Sequence, residues 1–231
     1  MQLPDILSDK NLRGKAAELL QAYFEEETST GFPRTGSRFE SWRGGGSRVG
    51  SANVLTEEDI LAVSFLGVRV KGAAAFGLLH THEKEITRLL LEIPSDLDLV
   101  DLKSADLDET IGSGTSAASR LWSVFTNASG PKWGIGSTTA SKLLARKRPR
   151  LIPVYDSVID RVTGLGGTAR NQWTDWHTAL TQTDLPRHLE EIRALSGIKE
   201  NISQLRVMDV VLWMHGIKQG IEPLENEDEA A

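Results

Sequence analysis

Apolar residues in this chain recur at helical spacing, and that periodicity narrows the fold more than any other sequence property. Ala16, Leu19, Leu20, Tyr23 and Phe24 share one face of a helix over residues 9–25. Val207, Val210, Val211 and Met214 mark a strongly apolar helix over 202–215, closed by Gly216. Thr56 followed by Glu57-Glu58-Asp59 reads as an N-cap with acids in the first turn, opening a helix to about Leu66. Further helices read over 73–79, 85–93, 116–126, 173–180 and 185–195, with Pro94 and Ser129-Gly130-Pro131 as stops. Period-two alternation is scarce, and 66–70 is the one candidate strand. The expected fold class is all-α.

The chain divides into an N-terminal helix (1–25), an irregular Arg/Gly/Ser-rich loop around Gly44-Gly45-Gly46 (26–50), and a central helical lobe (51–165). C-terminal helices (166–221) are expected to pack with the N-terminus, and an acidic tail (222–231) follows with five acids and no base. At 231 residues the chain can bury a substantial core. No apolar run approaches the roughly 20 residues that cross a bilayer. The N-terminus lacks a basic start with an apolar core, so cytoplasmic residence without membrane association is expected. The absence of cysteine excludes disulfides, thiol nucleophiles, thiolate zinc sites and iron–sulfur clusters. His80 and His82 stand two apart and do not share a helical face, so no metal site is expected there.

Net charge is −6, which weighs against a bulk nucleic-acid binder, but its distribution is uneven. Lys142, Arg146, Lys147, Arg148 and Arg150 run without an intervening acid. Arg34, Arg38, Arg43 and Arg48 have only Glu40 among them. Either cluster could face an anion.

The first cluster belongs to a compact unit. Gly134-Ile135-Gly136 makes a turn that opens a helix with Ala140, Leu143 and Leu144 inward, while Lys142 and Arg146 lie one turn apart on another face. Unpaired amides at such a helix start bind phosphate oxygens. Asp156 follows Gly134 by 22 positions and precedes Ser157-Val158-Ile159-Asp160-Arg161-Val162, where it would cap a further helix.

Residues 134–162 resemble the helix-hairpin-helix (HhH-GPD) DNA glycosylase superfamily, in its endonuclease III-like branch without the iron–sulfur cluster or the lyase lysine. The signature there is a G-V/I-G-x-x-T-A hairpin and helix followed by an aspartate. Here it reads as Gly134, Gly136, Thr139-Ala140 and Asp156. The resemblance implies a two-lobed helical fold and monofunctional hydrolysis of an N-glycosidic bond of a modified or damaged base, with Asp156 as catalytic carboxylate. A fixed anion suits the oxocarbenium-like transition state of that reaction.

Double-stranded DNA would be the partner, held by Gly134, Gly136, Ser137, Thr139, Lys142, Arg146, Arg148 and Arg43. Tyr155 and Trp133 flank the two key elements and are the expected base-pocket residues, with Trp42 a wedge or a lid and Trp122 and Trp213 in the core. No cofactor is implied beyond a monovalent cation that the hairpin carbonyls could take. Two departures stand out. Thr138 occupies the position of the lyase amine, so no Schiff base forms there, and Lys132-Trp133 replaces the family's Leu-Pro. A non-catalytic nucleic-acid-binding or interaction module on this scaffold, and a hydrolase of free nucleosides or nucleotides, remain as alternatives.

Overall fold

A computed structural model describes residues 3–28, 31–112, 114–165 and 171–223. The expected acidic tail lies outside the described residues from 224 onward, as does the first part of the expected C-terminal segment, 166–170. The fold is all-α. Among the described residues there is no strand, only an isolated bridge between Glu27 and Pro33. The candidate strand at 66–70 is instead a turn running into irregular chain after the helix over 57–64. Leu66 and Val68 line the cleft described below, and Val70 packs against the core.

The helices, in chain order, are α1 (Asp5–Ser8), α2 (Arg13–Glu25), α3 (Glu57–Ser64), α4 (Gly72–Phe76), α5 (Glu83–Leu91), α6 (Ala117–Phe125), α7 (Ser137–Lys147), α8 (Ser157–Thr163), α9 (Asn171–Gln182), α10 (Leu185–Ser196) and α11 (Gln204–Lys218). Local chemistry sets several starts. Thr56 and Asp59 form a reciprocal capping box on α3, and Ser116 and Ser203 cap α6 and α11 through their hydroxyls. The stretch over 26–50 carries two short 3₁₀ turns, Thr35–Arg38 and Trp42–Gly44, and no α-helix among its described residues.

Helix α2 packs on α10 and α11, and α11 in turn on α8, so the two ends of the chain share one apolar cluster with the middle. Helix α11 is apolar nearly all round: Leu205, Val207, Met208, Val210, Val211, Leu212 and Met214 are all buried. Each such side chain contributes about 1.5–3 kcal/mol of burial, enough to make α11 the central column. The helix does not end at Gly216 as expected. It continues to Lys218, and Gly216 serves packing instead: a Cβ there would lie 2.4 Å from Val158 Cγ1, so the missing side chain lets α8 approach.

Helix α7 is the second column, with every residue from Thr138 to Lys147 buried. Three consecutive cations at its end lie inside the protein. Arg146 donates to the carbonyls of Phe39, Glu40 and Trp42, and Lys147 to those of Gly46, Ser51 and Val54. Arg148 reaches the carbonyls of Ala52, Leu90 and Ile93 and the side chain of Asn53. Asp59 supplies the counter-charge, 2.9 Å from both Arg146 Nε and Lys147 Nζ. A segment with only short 3₁₀ turns leaves many of its carbonyls without backbone partners, and these three side chains bond several of them together with two at the end of α5. Burial pushes Arg148 down to about 10, still charged at neutral pH.

A cleft built around Asp156

The link between α7 and α8 is pinned from inside. Ser141, buried on α7, donates to the Pro153 carbonyl at 3.3 Å and accepts the Tyr155 amide at 2.9 Å. That double tie sets where the next residue, Asp156, emerges. Asp156 caps α8, its Oδ1 accepting the Val158 amide at 3.0 Å. Its Oδ2 lies 3.2 Å from the ammonium of Lys142, which also donates to the Leu66 carbonyl at 3.0 Å. The Asp156 side chain stays 15% exposed, toward a cleft of about 1050 Å³.

Gly134 lines the same cleft with a φ of +82°, a conformation that favours glycine, and Thr138 and Lys142 follow it at one-turn intervals along α7. The turn after α3 brings Phe65, Leu66, Arg69 and Lys71 to the cleft, and the 26–50 segment brings Phe32 and Arg34. Helix α2 contributes Tyr23, and α11 contributes Arg206, Asp209 and Trp213.

The polar groups from α2 and α11 form one network. Arg206 donates to Asp209 Oδ2 at 2.8 Å, to the Tyr23 hydroxyl at 2.9 Å and to the Gly36 carbonyl at 2.7 Å. Burial pushes the Asp209 carboxyl up to about 6; Arg206 opposes the rise and Asp156 adds to it. Glu40, which accepts the Ser203 hydroxyl at 2.8 Å, is raised to about 7 by burial. Burial also raises the Tyr23 phenol, against the pull of Arg206.

Several expected site residues lie elsewhere. Arg146 and Arg148, read as phosphate contacts, are 1% exposed and spent on loop carbonyls, so neither reaches a ligand. Thr139 is enclosed, and Lys142 is 2% exposed and faces Asp156 rather than solvent. Gly134, Gly136, Ser137 and Arg43 retain exposure. Neither Tyr155 nor Trp133 lines the cleft. Tyr155 is buried in the apolar cluster. Trp133 packs over Gly77, meets His82 edge to face at 5.7 Å and donates to the Phe125 carbonyl at 2.7 Å.

The cleft aromatics are instead Tyr23, Phe32, Phe65 and Trp213, the last of which was expected in the core. Trp42 packs edge to face on Phe65 at 5.2 Å, under the Arg43 guanidinium. Arg206 and Asp209 were missed, although a salt-bridging pair three apart inside an apolar helix is a readable signal of a buried polar site. Among the described residues no group of three or more His, Asp or Glu side chains could hold a metal ion.

Residues 16–216 match a family model described as a family of unknown function, DUF6308. The chain belongs to that family. The match runs from α2 into α11 and includes Tyr23, Asp156, Asp209 and Trp213. No curated protein and no solved structure matches the chain.

Proposed function

We propose that the chain hydrolyses the N-glycosidic bond of a modified or damaged base in DNA, with Asp156 as the essential carboxylate. One observation carries the reading: the aspartate that stands in register with the glycosylase signature lines a cleft large enough for a base, fixed by the Val158 amide and Lys142. Such a carboxylate, held in one rotamer before substrate arrives, needs no reorganisation as positive charge develops on the sugar. The C1′–N bond breaks, the bonding pair leaves with the base, and water adds to C1′ under the guidance of Asp156. The proton lost by water ends on the departing base. The Gly134–Ser137 turn and the exposed Arg43, Arg69 and Lys71 would hold the phosphates. With Thr138 at the lyase position and Lys142 engaged by Asp156 and Leu66, the product is an intact abasic strand.

The burial of Arg146, Lys147 and Arg148 supports a second reading, because it removes three cations from the surface that would track a strand. A free nucleotide, needing only one phosphate contact, would fit the same cleft. The deciding experiment is base excision from duplexes carrying uracil, alkylated and oxidised bases, with wild type and Asp156→Asn side by side. Abasic product from wild type alone supports the DNA reading, and undiminished product from Asp156→Asn would overturn the mechanism. Release of base from nucleotides but not duplexes, with a shallow salt dependence, would select the second reading. Retained DNA binding without product on any substrate would mark a non-catalytic module.

A further inference from the structure

Helix α11 gives the cleft a polar group that the hydrolysis itself does not use. Asp209 is 3% exposed and lines the cleft together with Trp213, one turn further along the helix. Its two oxygens differ. Oδ2 is taken by Arg206, whereas Oδ1 is buried without a hydrogen bond of ordinary geometry among the described residues, the Val210 amide being the one further donor close to the carboxylate. Its desolvation is incurred on folding, so a ligand N–H reaching Oδ1 gains a full hydrogen bond, and an analogue lacking that N–H leaves the acceptor empty. The surroundings narrow the ligand further. Tyr23 and Trp213 meet edge to face with centroids 6.0 Å apart, giving aromatic surface for a flat ring. Arg69 and Lys71, both exposed, stand where a phosphate would enter.

We infer that Asp209 Oδ1 is the base-reading acceptor of this cleft, selecting heterocycles that present an N–H donor on the edge facing it, such as the amino group of an adenine-type ring. The inference rests on the N-glycosidic reading and names the class of base that it concerns. The charged and titratable groups around Asp209 are Arg206 on its own helix, Asp156 at the start of α8, Tyr23 on α2 and Glu40 from the 26–50 segment. Below about pH 6 the Asp209 carboxyl takes a proton, and with Oδ2 held by Arg206 that proton falls on Oδ1 and turns the acceptor into a donor.

The test is calorimetric titration of the full chain at pH 7.5 with 9-methyladenine and 9-methylpurine, which differ only in the amino group. Wild type should bind the adenine at least tenfold more tightly. In Asp209→Asn the amide oxygen stays on Arg206 and the NH₂ takes the place of Oδ1, so the preference should vanish. Equal binding of the two probes, binding of neither, or an unaltered preference in folded Asp209→Asn would overturn the inference. If that variant does not fold, wild type at pH 5 replaces it: the preference should drop several-fold there, and an unchanged preference overturns the idea equally. Asp156→Asn separates this inference from the reading beneath it, since it should keep the preference while losing excision. A wild type that prefers the adenine yet excises nothing from any duplex or nucleotide would sink the hydrolase and leave the base site standing.

Discussion

The ammonium of Lys142 lies 3.2 Å from Asp156 Oδ2, joining the middle of α7 to the first turn of α8 across the cleft. The same ammonium holds the Leu66 carbonyl, so one side chain ties together the three segments that frame the carboxylate. An amine is thus present in the cleft one turn beyond Thr138, at a place the sequence signature does not mark.

Replacing Lys142 with methionine keeps the stem and removes the charge. Asp156 then keeps only the Val158 amide and loses the partner of its Oδ2, and the Leu66 carbonyl loses the Lys142 donor. Base release should fall tenfold or more, and stability by about 1–3 kcal/mol, the usual cost of a buried hydrogen-bonding group left unpaired. Single-turnover excision and urea unfolding measure the two effects. Because the wild-type amine is engaged, borohydride treatment during reaction should trap no covalent protein–DNA adduct. A trapped adduct that disappears in Lys142→Met would show lyase chemistry and overturn the monofunctional assignment.

Asp59 is the carboxylate bonded to both Arg146 and Lys147, and it completes the cap of α3. Asp59→Asn is nearly isosteric yet removes the counter-charge bonded to two buried cations. Breaking buried pairs in this way costs about 3–5 kcal/mol. The urea midpoint should drop accordingly, and amide exchange should accelerate over 39–54, whose carbonyls those cations hold. Exchange unchanged in that stretch would show that the loop is held by other means.

Stability should decline as pH rises from about 5 to 8. Glu40 and Asp209 are both harder to ionise in the folded protein than in an open chain, reaching about 7 and about 6. Between the ordinary carboxylate range and pH 7 the folded state therefore binds more protons than the unfolded state, and raising the pH favours unfolding. Arg148, at about 10, stays charged throughout; burial lowers the His215 imidazole, which opposes the trend, but this half-exposed group acts against two buried carboxyls. Thermal unfolding at pH 5 and pH 8 should show the lower midpoint at pH 8. Glu40→Gln should flatten the decline, and a variant with the full wild-type slope would exclude Glu40 as its source.

Helical periodicity made the all-α class legible, because α2 and α11 bury the residues their spacing put on one face and the caps at Thr56 and Asp156 are local chemistry. The cation run at 146–148 was misleading for a physical reason. Charge in sequence reads as surface, but the carbonyls of an irregular loop some hundred positions away needed donors, and long side chains on α7 were nearest. The cleft aromatics were equally hidden. Tyr23 and Trp213 meet there only because α2 packs on α11, and no local pattern encodes that pairing. Asp156 was legible because cap and cleft position both follow from the short span between Gly134 and α8.

Ser141 offers the most local test of how that carboxylate is aimed. Its hydroxyl donates to the Pro153 carbonyl and accepts the Tyr155 amide, and it touches neither Asp156 nor the cleft. Ser141→Ala removes both bonds in a buried site and leaves the Tyr155 amide without its partner there, a loss of about 1–3 kcal/mol. If the tie also sets where Asp156 emerges, base release should slow by more than the fraction unfolded explains, with substrate affinity little changed. Single-turnover rates measured well below the melting temperature separate the two effects. A destabilised variant with the wild-type rate would mean that the Val158 amide and Lys142 suffice to aim the carboxylate, and that Ser141 serves folding alone.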